Sequence, residues 1–201
     1  MVRPATAEIK RRLVHASGSG MPLLYILGIV DWQTLGYLFV LVSAVVTVLE
    51  LLRLYGGLQW GIYDELTREY EQDNVAGYAL YAYSQTFVAL VFAPYIAVPG
   101  MLMLTIGDPI SGLLGSAPVG EMKSLSTLAV MFTVCFALAA PFVIPVAGVV
   151  AGSIAAAVGA LGATVADGVK PVVAGYVIDD NLSIPPVACT AIAAALFVVV
   201  V

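Results

Sequence analysis

Charge is scarce in this chain. Of its 201 residues only 10% are Asp, Glu, Lys or Arg, and 61% are hydrophobic, whereas a soluble domain carries about a quarter charged residues. A soluble fold of this length cannot bury so much apolar surface, and the mean hydropathy is +1.02, so lipid must serve as part of its solvent. The net charge is −5, which excludes the basic surface by which proteins usually hold nucleic acid. Cysteine is almost missing. Cys135 and Cys189 each lie in an apolar run, which argues against a disulfide framework and for two small buried hydrophobes. Also absent are the G-x-x-x-x-G-K-[ST] loop, the C-x-x-C pair, the H-E-x-x-H zinc helix and the G-x-S-x-G elbow. Any use of a nucleotide must therefore run on a site particular to membrane proteins. The length leaves room for a single domain over 1–201, with no soluble module beside it.

What the sequence has in abundance is apolar runs of spanning length. An α-helical span takes about 20 largely apolar residues. The runs predict an all-α bundle of about seven spans, near 18–30, 34–52, 75–93, 95–115, 124–142, 145–166 and 183–201. The fourth is expected to break at Gly107-Asp108-Pro109, and the turn after the fifth to fall around Pro141 to Pro145. Lys10, Arg11 and Arg12 precede the first run without a small-residue cleavage site, so the run reads as a retained helix, not a signal peptide. Arg3 and Lys10 to Arg12, Arg53 and Arg68, Lys123, and Lys170 fall in the four regions that share one face of a seven-span bundle. By the positive-inside rule that face is cytoplasmic, with the N-terminus on it. Asp31 is the one charged residue assigned to the other face. Such a concentration points to a charged, water-soluble ligand met from the cytoplasm. Gly148, Gly152, Ala156 and Ala160, at steps of four in the sixth run, predict close helix packing and no chemistry.

Several groups can carry chemistry. An ionisable side chain within a span costs roughly 2.5–3.5 kcal/mol at the bilayer centre and is a functional candidate by default. Asp108, flanked by Gly107 and Pro109 and followed by Gly112 and Gly115, can hold Mg²⁺ for a nucleotide's phosphates, or cap a second half-helix. Lys123-Ser124-Leu125-Ser126-Thr127 opens the fifth span. It can bind phosphate through lysine, hydroxyls and free backbone N–H groups, or be a snorkelling lysine beside a serine cap. Asp179-Asp180 before Asn181, Leu182 and Pro185 can bind a metal or take a proton from an alcohol, or be a solvated loop with a cap and a first-turn proline. Arg11, Arg12 and His15 can hold phosphate, with His15 as acid or base, or anchor the first helix at the interface. Asp167 and Lys170 read as an i,i+3 pair, and Arg68-Glu69 as part of a solvated amphipathic stretch.

Taken in order, these motifs resemble the dolichol kinase, phytol kinase and yeast-type diacylglycerol kinase group of integral membrane lipid kinases, and more distantly the phosphatidate cytidylyltransferases. The matching residues are Arg11-Arg12-Leu13-Val14-His15, Arg68-Glu69 with Gly77, Gly107-Asp108-Pro109 with Gly112 and Gly115, Lys123-Ser124-Leu125-Ser126-Thr127, and Asp179-Asp180-Asn181-Leu182 with Pro185. Ser126 and Met122 stand where the group usually has glycine, and Asp167 where it has glutamate. The resemblance implies phosphoryl transfer from CTP to the hydroxyl of a lipid alcohol such as dolichol, a polyprenol, a phytol-like isoprenoid or a diradylglycerol. It implies an active site on the cytoplasmic side of the cell membrane. The expected roles are Mg²⁺ or another divalent cation on Asp108 and Asp180, catalysis by Asp108, Lys123, Asp179, Asp180 and His15, and nucleotide binding by Arg11, Arg12, Arg68, Gly107, Gly112, Lys123 and Ser124. A cytidylyltransferase acting on a lipid phosphate is the alternative. A transporter with Asp108 as its ion site is less consistent with the single outer-face acid.

Overall fold

The computed structural model describes residues 12–57, 60, 61, 67 and 71–200. Arg11 and Arg68, expected to bind nucleotide, lie outside the described residues, as does Glu69 beside Arg68. A helical turn at 12–17 leads to α1 (Gly20–Ile26), α2 (Trp32–Tyr55), α3 (Gly77–Val91) and α4 (Pro94–Leu102). A π-helical stretch (Met103–Gly107) follows, then α5 (Asp108–Leu114), α6 (Leu125–Ala147) and α7 (Val149–Gly168). A two-stranded hairpin, β1 (Val172–Val173) and β2 (Tyr176–Val177), precedes α8 (Asp180–Val200).

Among the described residues five stretches are long and apolar enough to cross a membrane: Trp32–Tyr55, Pro94–Leu114, Leu125–Ala147, Val149–Gly168 and Asp180–Val199. Two of the seven expected runs are shorter. Helix α3 has 15 residues, about 22 Å at 1.5 Å per residue against a hydrocarbon core of about 30 Å. The first run is interrupted at 18–19 and ends before Gly28, whose φ of +68° turns the chain out of the helix. Asp31 then caps α2, accepting the Thr34 N–H at 2.7 Å, a bond that holds its carboxyl below the usual range.

The expected break at Gly107-Asp108-Pro109 is not a break. The chain stays helical from Pro94 to Leu114 by widening into the π-helical stretch, where the Asp108 N–H reaches back five residues to the Met103 carbonyl. Pro109 has no N–H to give and its ring crowds the carbonyl four residues earlier, so one widened turn before it relieves the clash without ending the helix. This rod is the axis of the bundle, and it is far more buried than the other four stretches. It packs against α6, α8 and α3, while α7 packs on α6 and α8 and α2 lies on α3. Met101, Met103, Leu104, Met131, Val143, Ile184 and Ile192 form the core, with both cysteines buried among them.

Two other boundaries shift. Helix α6 runs through Pro141 and Pro145 to Ala147, and the chain turns at Gly148 with φ +81°. Proline is tolerated inside such helices where neighbouring groups take up the freed carbonyls. Helix α8 begins at Asp180, so Pro185 and Pro186 lie beyond its first turn. Of the four small residues expected to pack, Gly148 is instead the exposed turn before α7, while Ala156 and Ala160 are fully buried. A Cβ at Gly152 would strike the Ile144 backbone of α6, and one at Gly159 the Ile192 side chain of α8.

Candidate active site

The polar side chains of six separate segments meet at one end of the bundle. Asp108 opens α5, Asp167 lies in the last turn of α7 and Asp180 opens α8. All three are buried, and one carboxylate oxygen from each lies within 4.8 Å of the others. Like charges that close are held only with compensation. Each acid has its own basic partner. His15 Nδ1 lies 3.1 Å from Asp108 Oδ2, Lys123 Nζ lies 2.7 Å from Asp167 Oδ1, and Lys170 Nζ lies 2.7 Å from Asp180 Oδ2. Ser111 joins the ring by donating to Asp167 Oδ2 at 2.6 Å and accepting from Lys123 at 3.2 Å.

The π-helical stretch sets which side of the rod faces this cluster. Residues i, i+3 and i+4 share a helix face, so Asp108, Ser111 and Gly112 look the same way. Gly107 looks the other way, where a Cβ would meet Cys135 Sγ and Met131 of α6; it packs the helix and does not line the cavity. At Gly112 a Cβ would overlap the Arg12 guanidinium. The glycine thus leaves room for Arg12, whose Nη1 donates to the Pro109 carbonyl at 3.4 Å.

A cavity of about 590 Å³ opens onto these groups, lined among others by Arg12, His15, Glu71, Asp108, Lys123 and Asp180. That volume suits a small-molecule ligand. Tyr81 of α3 also lines it and meets the His15 ring edge-on, centroids 5.3 Å apart. A side chain at Gly18 would collide with that tyrosine's hydroxyl. With Nδ1 beside the Asp108 carboxylate, Nδ1 carries the proton and Nε2 becomes the acceptor. Nε2 is buried without a hydrogen-bond partner among the described residues.

The two aspartates before α8 divide their work. Asp179 Oδ1 accepts the Asn181 N–H at 3.0 Å and its side-chain amide at 2.6 Å, which makes it the cap of α8. Asp180 lines the cavity and Asp179 is not among its lining residues. Ser124 is likewise a cap, accepting the Thr127 N–H at 3.3 Å from an exposed position away from the cavity. Of the residues the sequence proposed, Arg12, His15, Asp108, Gly112, Lys123 and Asp180 therefore converge. Asp167 and Lys170 are not the isolated i,i+3 pair the sequence suggested: each is engaged by a partner from another segment. Ser111, Glu71 and Tyr81 were missed. An acid at the end of an apolar span was the available sign for Asp167. Ser111 has no such sign.

No protein-family model, no curated protein and no solved structure matches the chain.

Proposed function

We propose that the chain is a CTP-dependent lipid kinase that phosphorylates the hydroxyl of a membrane lipid alcohol. The observation that carries this reading is the cluster of three buried carboxylates, two of which line one cavity with Lys123, Lys170, Arg12 and His15, at the end of an apolar bundle. Phosphoryl transfer asks for charge neutralisation and positioning more than for covalent help, and this is the inventory present. Asp108, Asp167 and Asp180 would hold Mg²⁺, a hard cation that takes oxygen ligands. When bound, the cation supplies neutralisation of the nucleotide's phosphate charge. Arg12, Lys123 and Lys170 bring positive charge to the same cavity for the phosphate oxygens. The alcohol oxygen forms a bond to the γ-phosphorus as the bond from that phosphorus to the bridging oxygen breaks, and CDP leaves. The hydroxyl proton passes to His15 Nε2. The alcohol's apolar tail would lie between spans.

Seven crossings, an N-terminus in the cytoplasm and a site on the cytoplasmic face of the cell membrane complete the reading. Arg12, Lys123 and Lys170 line the cavity, and Arg53 is tied to the Asn74 carbonyl just before α3. The basic residues thus gather at the site's end of the bundle, as the positive-inside rule asks of a cytoplasmic face. Helix α3 and the stretch 12–26 would supply the two shorter crossings.

Labelled CTP tests the reaction. Membranes holding the protein, given a panel of polyprenols, shorter isoprenoid alcohols and diradylglycerols, are expected to pass the γ-phosphate label into one lipid class. Passage of the α-phosphate label instead would make the protein a cytidylyltransferase, and no label in any lipid would remove the enzyme reading. Gly112→Ala is expected to push Arg12 out of place, raising KM for CTP by about tenfold, the equivalent of about 1.4 kcal/mol, with a smaller change in kcat. Steady-state kinetics in nanodiscs would measure the split.

A further inference from the structure

Beside the cavity, between Lys170 and Asp179, residues 171–178 read Pro-Val-Val-Ala-Gly-Tyr-Val-Ile, with no charged side chain. They fold as the β1–β2 hairpin, with Val172 opposite Val177 and Val173 opposite Tyr176, closed at its base by the Ile178 N–H to the Pro171 carbonyl at 2.8 Å. Loops at this end of the bundle also carry exposed polar residues: Gln72, Asp73 and Asn74 before α3, and Glu121 before α6.

Successive side chains on a strand point to opposite faces. The Val172–Val177 pair therefore occupies one face and the Val173–Tyr176 pair the other. Val172, Val173 and Tyr176 are all more than half exposed. A hairpin that packed on the protein, or lay flat on a surface, would be apolar on one face. This one is apolar on both. Its turn repeats the pattern: Ala174 and Gly175 both have positive φ, at 50° and 87°. Such a turn normally takes Asn, Asp or Gly, and here an apolar alanine accepts the strained position.

From these features we infer that the hairpin is inserted in the lipid bilayer at the boundary between headgroups and acyl chains. The two helices it joins also expose apolar side chains, Leu161 and Val165 of α7 and Val187 of α8. The outer edges of two lone strands leave backbone N–H and C=O groups that the hydrocarbon centre would not accept, so the hairpin stops at the interface. Tyrosine is at home at that depth. Because Lys170 and Asp180 at its base both line the cavity, the anchor sets the cavity mouth against the bilayer surface, where a lipid headgroup resides.

The experiment uses the full chain in phosphatidylcholine vesicles. Both native cysteines are buried, so a bimane label reports an introduced one. Three variants are compared: Val173→Cys at the hairpin, Leu161→Cys on α7 and Glu121→Cys in the loop before α6. Lipids bearing doxyl groups near the headgroup are expected to remove most of the fluorescence at Val173→Cys while iodide in the buffer barely affects it; Glu121→Cys should behave in the opposite way. Iodide quenching at Val173→Cys equal to that at Glu121→Cys, with Leu161→Cys still quenched by lipid, would overturn the inference and leave the spanning helices standing. Failure of lipid to quench Leu161→Cys as well would overturn both.

Discussion

Asp108→Asn is expected to lower phosphoryl transfer by on the order of 10²–10³-fold, as the loss of one preorganised charge-stabilising group does in other active sites. Asparagine keeps the size of the side chain and still accepts from His15 Nδ1, so the geometry around the π-helical stretch is retained. What disappears is one of three buried negative charges within 4.8 Å of each other. In metal-free buffer those charges repel, so the variant should unfold at a higher temperature than the native protein. A site arranged for function is commonly held at some cost to stability. Adding Mg²⁺ should reverse the order, because a ligand that binds only the folded state stabilises it by RT ln(1 + [L]/Kd), more for the native site than for the weakened one. Thermal unfolding with and without Mg²⁺, beside the transfer assay, reads both effects. Activity near the native level would sink the assignment of Asp108.

Lys123→Met is expected to cost about 3–5 kcal/mol of stability, the usual penalty for leaving one member of a buried ion pair behind. The lysine side chain is only 8% exposed and that of Asp167 not at all, so solvent cannot take over the carboxylate's charge. Ser111 loses a donor at the same time. Transfer activity should fall to background. Adding Asp167→Asn to Lys123→Met should recover most of the stability and none of the activity, since the orphaned charge is gone while the phosphate-facing cation is still missing. Residues in one hydrogen-bonded network show coupling of this kind. A loss below about 1 kcal/mol for the single variant would place the pair with exposed surface ion pairs.

How much of this was legible beforehand depends on how local each feature is. The apolar runs identified the long helices because lipid imposes length and composition on each one separately. Asp108 and Lys123 stood out because a charge at a span costs energy wherever the rest of the chain goes. Asp167 did not, because its role depends on the rotation of α7 against a lysine 44 residues earlier, and rotation is settled by packing. Its neighbour Lys170 looked like its partner only because i,i+3 spacing is visible in one dimension. Ser111 needed the π-helical stretch to turn it toward Asp167, and a proline motif alone does not say whether a helix breaks or widens. Pro141 and Pro145 misplaced the end of α6 for the same reason: the tolerance of proline in a buried helix comes from its surroundings. The separation of Asp179 from Asp180 likewise waited on the observed cap.

Sequence and structure agree on where polarity belongs. In both, the charged groups sit at the ends of apolar rods, and among the described residues nearly all lie at one end. The structure adds that three of the acids share a space small enough for one cation, and that three basic side chains reach the same cavity.

Binding of Mn²⁺, followed by the electron paramagnetic resonance signal of the free ion, tests that arrangement most directly. The native protein is expected to remove one equivalent of Mn²⁺ from solution at a site that Mg²⁺ competes for, and Asp108→Asn and Asp180→Asn are each expected to abolish it. Undiminished binding in both variants would contradict the account.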